Sequence, residues 1–193
     1  MDHLFKTREP AEAKLLPEEQ AVIFHHVVAM LLFMAPRARR DIQTTVAFLT
    51  TRVKAPDDDD WGKLRRVIKY LKCTKHMKLT LTVTSLSMIQ WWVDASYLTH
   101  DDCRGHTGGM MTLGAGAVVS FSRKQRINVK SSTESELVGA DDGLPLILWC
   151  KYFIEEQGYT LEVNRLYQDK KSTMLLAKNG RSSSSKRTKH IKA

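Results

Sequence analysis

The spacing of apolar residues changes once along this 193-residue chain, close to Leu79. Before that point apolar residues recur every three or four positions, which predicts helices. After it, residues 79–83 alternate between apolar side chains and threonine, and short apolar runs are separated by turn residues, which predicts strands. The chain therefore divides into a helical segment and an α/β segment, in which we expect a mixed sheet flanked by helices.

Three helices are predicted in the first segment, over residues 18–34, 41–54 and 57–71. Pro17 and Asp41 suit the start of a helix, whereas Pro36 and Pro56 suit the positions just beyond an end. The four aspartates at 57–60 resemble a metal site. We interpret them as the N-terminus of the third helix, because the helix dipole stabilises acidic residues there.

The second segment is predicted to contain short strands and two helices. The strands are placed at 89–93, 110–113, 117–121 and 163–167, and the helices at 131–157 and 172–178. The glycines of residues 105–109 predict a turn that precedes a hairpin. Gly143 and Pro145 lie inside the long helix and predict a bend in it.

These patterns predict three parts along the chain. Residues 1–17 are polar and contain two prolines, so they are expected to form a disordered lead-in. Residues 18–85 form a small helical connector in this interpretation. Residues 86–193 form the α/β domain.

Composition narrows the environment and the partner. The formal net charge of +9 favours a polyanionic partner such as nucleic acid. The three cysteines are widely spaced, which is typical of free thiols in a reducing compartment. No signal-peptide pattern occurs at the start, and the apolar run at 21–35 is too short to span a bilayer. We therefore predict a soluble, intracellular protein that is neither secreted nor bound to a membrane.

Three carboxylates are placed so that they could meet. Asp94 follows a buried strand, Asp169 follows another, and Glu136 lies near the start of the helix between them. Strand ends at one edge of an α/β sheet usually carry the chemistry. Clustered carboxylates repel one another unless a cation binds, so this placement predicts a divalent metal site. Taken singly, each residue could instead cap a helix or a turn.

Glu136 has a specific alternative role as part of a helix cap. Thr133 with Glu136 fits a capping box, and so does Ser131 with Glu134. Only one of these two registers can form the cap. If Glu134 belongs to the cap, Glu136 is free to point into a site.

Several motifs together closely resemble the ribonuclease H domain of copia-type LTR retrotransposon polyproteins. They are residues 91–96, 105–109, 130–137, 167–169 and 184–191. Residues 24–26, 37–53 and 64–71 resemble the segment that precedes that domain, at the end of the reverse transcriptase region. The resemblance implies a ribonuclease H-like fold and hydrolysis of the RNA strand of RNA–DNA hybrids. The hybrid would be bound through its shape, phosphates and 2′-hydroxyl groups.

The resemblance also assigns roles to residues. Asp94, Glu136 and Asp169 match the metal-binding carboxylates of that family, with Asp94 bridging two ions. The implied chemistry is two-metal phosphodiester hydrolysis with Mg²⁺, for which Mn²⁺ could substitute. His190 matches a mobile histidine that assists proton transfer or product release, although it could be a tail histidine without a partner.

The basic C-terminal region offers a further contact for nucleic acid. Its cations, Arg181, Lys186, Arg187 and Lys189, could bind phosphates or form a solvated tail. The expected partners are an RNA–DNA hybrid and the remaining Pol polyprotein domains. The expected location is a cytoplasmic virus-like particle or the nucleus.

The chain departs from the family pattern in two ways. The family usually supplies a fourth acidic ligand and a final helix, and no carboxylate follows Asp169 here. The ammonium group of Lys170 is expected to compete with a metal for Asp169. These departures predict a truncated copy, and they leave open a second interpretation, a catalytically inactive remnant that still binds nucleic acid.

Overall fold

The computed structural model describes residues 4–9 and 12–179. The chain forms two compact units, Met1–Leu79 and Thr80–Ala193. The boundary lies before the predicted one at residue 85, because residues 82–84 hydrogen bond within the second unit. Thr82 N donates to Ala115 O at 3.0 Å, and Thr84 N donates to Leu113 O at 2.8 Å. No helix in the described part is long and apolar enough to cross a membrane.

The first unit is helical, as predicted. Its helices are α1 (Glu18–Met34), α2 (Gln43–Thr50) and α3 (Asp58–Cys73), with a 3-10 turn at Arg40–Ile42 before α2. Their apolar faces enclose one core, in which the most deeply buried side chains include Phe24, Val28, Val46 and Leu49. The prediction that Asp41 caps the second helix is wrong: it lies in the 3-10 turn and accepts hydrogen bonds from Arg39 at 2.7 and 3.0 Å.

The aspartate run at 57–60 forms a helix cap, as interpreted from the sequence. Asp57 Oδ1 accepts from Asp60 N at 2.8 Å, and Asp60 Oδ2 accepts from Asp57 N at 3.2 Å, which completes a capping box. Arg52 pairs with both acids: its Nε donates to Asp60 Oδ2 at 2.9 Å, and its Nη2 lies 3.7 Å from Asp57 Oδ2, so this one cation offsets part of their charge. The acids are therefore used within the helical unit.

The described part of the predicted lead-in is packed against the helical unit, which differs from the prediction of disorder. Leu16 is buried, and its N–H donates to Pro56 O at 2.9 Å. The ring of Phe5 meets that of Phe48 edge to face at 5.5 Å between centroids. A few apolar residues within a polar segment are sufficient to attach it.

Gly62 lies inside α3 at an exposed position where a larger side chain would fit. A Cβ atom there would meet no atom within 4 Å. Glycine inside a helix costs roughly 0.5–1 kcal/mol relative to alanine. We therefore expect Gly62→Ala to raise the free energy of unfolding by about that amount in urea titrations. The matched exchange Gly139→Ala should lower it, because a Cβ at Gly139 would lie 3.0 Å from the Cβ of Ala95.

The second unit is an α/β layer, as predicted. Its strands are β1 (Met88–Ser96), β2 (His106–Thr112), β3 (Val119–Lys124) and β4 (Val163–Tyr167), and its helices are α4 (Ser132–Glu156) and α5 (Lys171–Asn179). The sheet has the order β3-β2-β1-β4. β1 pairs antiparallel with β2 and parallel with β4, so the sheet is mixed.

Two local predictions in this unit are wrong. Residues 79–83 form no strand; their backbone is irregular, and threonine alternation alone does not create a partner strand. Residues 106–109 belong to β2 instead of a turn. Gly109 is required there because a Cβ atom would overlap the ring of Phe121, so the glycine admits a cross-strand aromatic.

The long helix α4 packs on one face of the sheet. The core between them contains Ile89, Trp91, Met111, Ile147 and Cys150. The small residue Gly139 permits close approach of the helix to β1 and β2. This packing sets the start of α4 beside the end of β1, where the carboxylates lie.

Candidate metal centre

The structure brings Asp94, Glu136 and Asp169 together. One carboxylate oxygen from each lies within 4.8 Å of the other two. β1 and β4 are adjacent and parallel, and Trp92 opposite Tyr167 is the last pair in their register. Asp94 and Asp169 both lie beyond that pair, where β1 and β4 are no longer hydrogen bonded to each other, so they reach the same edge of the sheet. Asp94 still belongs to β1, which runs past the predicted end at residue 93, and it pairs with Gly108 of β2. Glu136 reaches the same point from α4.

The cap at the start of α4 uses the register that leaves Glu136 free. Ser131 Oγ accepts from Glu134 N at 3.2 Å, and Glu134 Oε2 accepts from Lys130 N at 2.7 Å. Thr133 is not the N-cap residue. The choice between the two registers is therefore settled by Ser131, whose hydroxyl accepts the N–H of Glu134, the third residue of the helix.

Glu136 is the buried member of the cluster, whereas Asp94 and Asp169 are exposed. Its Oε2 accepts from Ala95 N at 3.1 Å and from Gln168 Nε2 at 3.2 Å. Burial, with the nearby charges of Asp94 and Asp169, raises the pKa of Glu136 to about 6, although the two hydrogen bonds oppose this rise. A bound cation would oppose the repulsion between these carboxylates and so favour the charged form of Glu136.

Glu136→Gln is expected to stabilise the metal-free protein at neutral pH. The Glu136 pKa is about 6 in the folded state against an ordinary value of 4.5. The folded state therefore binds this proton more tightly, and stability falls as pH rises from 4.5 to 6. The loss is roughly 2 kcal/mol, from 1.36 kcal/mol per pKa unit. Glutamine does not ionise, so the variant does not lose this stability as pH rises.

Urea titrations in a chelator, from about pH 4 to pH 7, check this prediction. The free energy of unfolding of the variant, relative to that of the wild type, should increase as pH rises, and the difference should be largest near pH 7. Asp141→Asn is the matched control, because Asp141 is an exposed carboxylate of α4 outside the cluster. A difference that does not change with pH would contradict the assigned shift.

A buried polar network places the start of α4, and no pattern in the sequence indicated it. Gln125 is almost fully buried; its Nε2 donates to Ser135 O at 2.9 Å and to Thr107 Oγ1 at 3.0 Å. Ser135 Oγ donates to Ser96 O and to Gln125 Oε1, both at 3.2 Å. A Cβ at Gly105 would overlap Gln125 Oε1, so only glycine fits there. The network joins both ends of the hairpin to the residue beside Glu136.

Lys170 does not neutralise Asp169, contrary to the expectation from its position. Its ammonium group donates to Ser132 Oγ, and its backbone N–H donates to Gln168 Oε1 at 3.2 Å. Within residues 12–179 no ion pair joins Lys170 to Asp169. Gln168 is a second residue that sequence reasoning missed, since it links this loop to Glu136.

A pair of buried histidines lies beside the hairpin. His106 Nδ1 lies 3.1 Å from His100 Nε2, and His106 Nε2 lies 2.7 Å from Ser122 Oγ. Burial, with a smaller effect of His100, lowers the pKa of His106 to about 4. Burial also lowers the pKa of His100. These rings act as neutral hydrogen-bonding groups at physiological pH.

The remaining predicted site residues lie outside the described part of the chain. They are His190, Arg181, Lys186, Arg187 and Lys189.

The donor set fits a hard divalent cation. Its three groups are all carboxylates, which suit Mg²⁺ or Mn²⁺ better than softer metals. The buried Glu136 is held by two hydrogen bonds to the same oxygen, which leaves Oε1 free of the Ala95 and Gln168 contacts. Asp94 and Asp169 face solvent, so water and a phosphate could share the coordination sphere.

The fold and the site define an α/β protein with an all-carboxylate cluster at the edge of a mixed sheet. The chain is 33% identical over 141 residues to a putative transposon Ty5-1 protein of Saccharomyces cerevisiae, which covers 72% of this chain and 44% of that protein. It is 26% identical over 171 residues to the retrovirus-related Pol polyprotein from transposon TNT 1-94 of Nicotiana tabacum, covering 88% of this chain and 13% of the polyprotein.

A third relative has another description. The chain is 27% identical over 123 residues to secreted RxLR effector protein 161 of Plasmopara viticola, covering 63% of this chain and 87% of that protein. No protein-family model matches the chain. No solved structure matches it either.

The chain is therefore related to retrotransposon polyproteins, which confirms the resemblance predicted from its motifs. It spans less than half the length of both transposon relatives.

Proposed function

We propose that the chain is part of a copia-type retrotransposon Pol polyprotein and that its second unit is a ribonuclease H-like domain. The activity would be metal-dependent hydrolysis of the RNA strand of RNA–DNA hybrids. The observation that carries this proposal is the convergence of Asp94, Glu136 and Asp169 within 4.8 Å in a relative of such polyproteins.

The topology of the second unit supports the proposed fold. Three antiparallel strands are extended by β4, which lies parallel to β1 and follows the long helix. A parallel partner requires a crossover connection, and α4 supplies it. This crossover is what carries Glu136 across to the ends of β1 and β4.

The residues of the site would have distinct roles in this reaction. Asp94, Glu136 and Asp169 would hold Mg²⁺ or Mn²⁺, and the bound ions would supply activation of a water and stabilisation of the leaving 3′ oxygen. Ala95 N–H and Gln168 Nε2 orient the Glu136 carboxylate from the protein side. The exposed Asp94 and Asp169 are accessible to a phosphodiester group from solvent.

The proposed substrate fits the charge of the chain. A net charge of +9 favours the phosphate backbone, whose recognition is largely independent of sequence. The 2′-hydroxyl groups of one strand would distinguish a hybrid from duplex DNA. The proposed partners are therefore an RNA–DNA hybrid and the other domains of the polyprotein, within a cytoplasmic particle or the nucleus.

A cleavage assay tests the proposal. The chain is incubated with hybrids labelled on the RNA or on the DNA strand, and with duplex DNA and duplex RNA, in Mg²⁺, Mn²⁺ or a chelator. The expected result is cleavage of the RNA strand of the hybrid alone, and only with metal. Binding to the hybrid without cleavage in either metal would reject the enzyme and support a non-catalytic, nucleic-acid-binding remnant.

A further inference from the structure

The helical unit contains a cavity that the proposed cleavage activity does not use. Residues of the N-terminal segment, of the 3-10 turn before α2, of α2 and of α3 line it, and all of them belong to the first unit. Its volume is about 520 Å³. Pockets of this size bind small molecules, usually through an apolar lining with a few polar groups.

The inner part of this cavity, here called the α2–α3 cavity, is apolar. Ile42 and Val67 line it and belong to the buried core of the helical unit. Leu4 is only partly buried, and the ring of Tyr70 is 40% exposed. An apolar or aromatic body in the cavity would remove the remaining surface of Leu4 and Tyr70 from water, which favours its binding.

Most of the polar residues that line the cavity already have partners. Asp41 accepts hydrogen bonds from Arg39 at 2.7 and 3.0 Å, and Asp59 pairs with Lys63 at 2.9 Å. The pKa of Tyr70 is raised, mainly by a hydrogen bond to Asp41, so its hydroxyl is engaged as well. These groups therefore stabilise the walls of the cavity.

Two polar residues of the lining differ from the others, Thr45 on α2 and Arg66 on α3. Within residues 4–9 and 12–179, no ion pair and no side-chain hydrogen bond involves either of them. Both groups donate hydrogen bonds, and a guanidinium group can donate two in parallel to one carboxylate. The free donors of the cavity are therefore suited to a carboxylate.

The charges of the lining also limit the charge of the ligand. Because Lys63 is paired with Asp59 and Asp41 with Arg39, the cation left to balance a ligand is that of Arg66. A second negative charge on the ligand would be repelled by the nearby carboxylates of Asp41 and Asp59. A single negative charge is therefore favoured over a polyphosphate.

We propose that the α2–α3 cavity binds a small aromatic carboxylate. The carboxylate would accept hydrogen bonds from Thr45 and Arg66, and the aromatic body would lie against Leu4 and Tyr70. This inference goes beyond the proposed cleavage of RNA and does not depend on it, because none of the carboxylates of the candidate metal centre lines the cavity.

Titration of the isotope-labelled full chain, followed by two-dimensional NMR, tests this site with naphthoate as the probe. Saturable shifts are expected at the amides of Thr45, Gly62 and Arg66, with a dissociation constant of about 1 mM or lower. The neutral analogue naphthamide should bind at least about 10-fold more weakly, because it lacks the charge that pairs with Arg66. Pyrophosphate should not displace naphthoate.

Single substitutions test the two free donors. Arg66→Gln should weaken naphthoate binding by at least about 10-fold, and Thr45→Val by about 3-fold, since a hydrogen bond to a charged group contributes more when the donor is charged. Arg65→Gln is the matched control, because Arg65 is the neighbouring exposed arginine of α3 and does not line the cavity. It should retain affinity within about 2-fold. Circular dichroism verifies that each variant is folded.

Four outcomes overturn the inference. The first is the absence of saturable shifts with naphthoate at the three amides. The second is equal affinity for naphthamide, which would make the cavity an apolar site without a carboxylate contact. The third is an equal loss in Arg66→Gln and Arg65→Gln, which would make net charge the cause. The fourth is displacement of naphthoate by pyrophosphate. RNA cleavage plays no part in these measurements, so its failure would leave their result unchanged.

Discussion

Asp94→Asn is expected to reduce metal-dependent cleavage of an RNA–DNA hybrid by at least about 100-fold, since removal of a metal ligand takes away several kcal/mol of transition-state stabilisation. Asp94 is the carboxylate most strongly coupled to the buried member of the cluster, because the raised pKa of Glu136 owes more to Asp94 than to Asp169. Asparagine keeps the size of the side chain and removes its charge. The substitution should therefore lower the cleavage rate and leave the protein folded.

Metal binding provides a second readout for the same variant. A cation that binds only the folded wild type raises its stability by about 2.7 kcal/mol at 100 times its dissociation constant. In thermal unfolding with and without Mn²⁺, the wild type should show this increase in stability, and Asp94→Asn should not. Asp141→Asn, the exposed control on α4, should keep both cleavage and the gain. Full cleavage by Asp94→Asn would remove the carboxylate cluster from the mechanism.

Most of the architecture could be predicted because its signals are local. The helix starts at Glu18 and Asp58 follow from proline and aspartate chemistry, and β1 follows from a continuous apolar run. The meeting of Asp94 with Asp169 could be expected once both were placed after neighbouring strands. The helices and strands can be assigned from nearby residues alone, whereas the meeting of the two aspartates also requires β1 and β4 to be neighbours in the sheet.

The rest depends on contacts that are distant in sequence. In the sequence, Gln125 is an ordinary polar residue at the end of a hairpin. Its role depends on hydrogen bonds to Thr107 and Ser135, which the sequence pattern does not indicate. The cap register of α4 depends on whether Ser131 or Thr133 accepts a hydrogen bond, and both fit the pattern. Residues 79–83 carry a strand pattern, but the segment beside them is the bend at 113–115, so the hydrogen bonds of Thr82 and Thr84 to it do not form a strand.

The buried histidine pair makes a second large effect expected, a loss of stability in acid. His106 has a pKa of about 4 in the folded state against an ordinary value of 6.5. The unfolded state therefore binds the proton more tightly, and stability present above pH 6.5 is lost as pH falls towards 4. The loss is roughly 3 kcal/mol, from 1.36 kcal/mol per pKa unit. His106→Gln should lack this dependence, whatever its stability at neutral pH.

The measurement must separate the effect of His106 on stability from that of Glu136. Because the pKa of Glu136 is raised, Glu136 increases stability as pH falls from 6 to 4.5, whereas His106 decreases it. Urea titrations from about pH 4 to pH 7 are therefore best made in the Glu136→Gln background, with and without His106→Gln. The acid loss should be present in the first protein and strongly reduced in the second. His76→Gln, at an exposed histidine, should leave the loss unchanged. An undiminished acid loss after His106→Gln would assign it to other groups, and His100 would be the next to replace, because burial lowers its pKa as well.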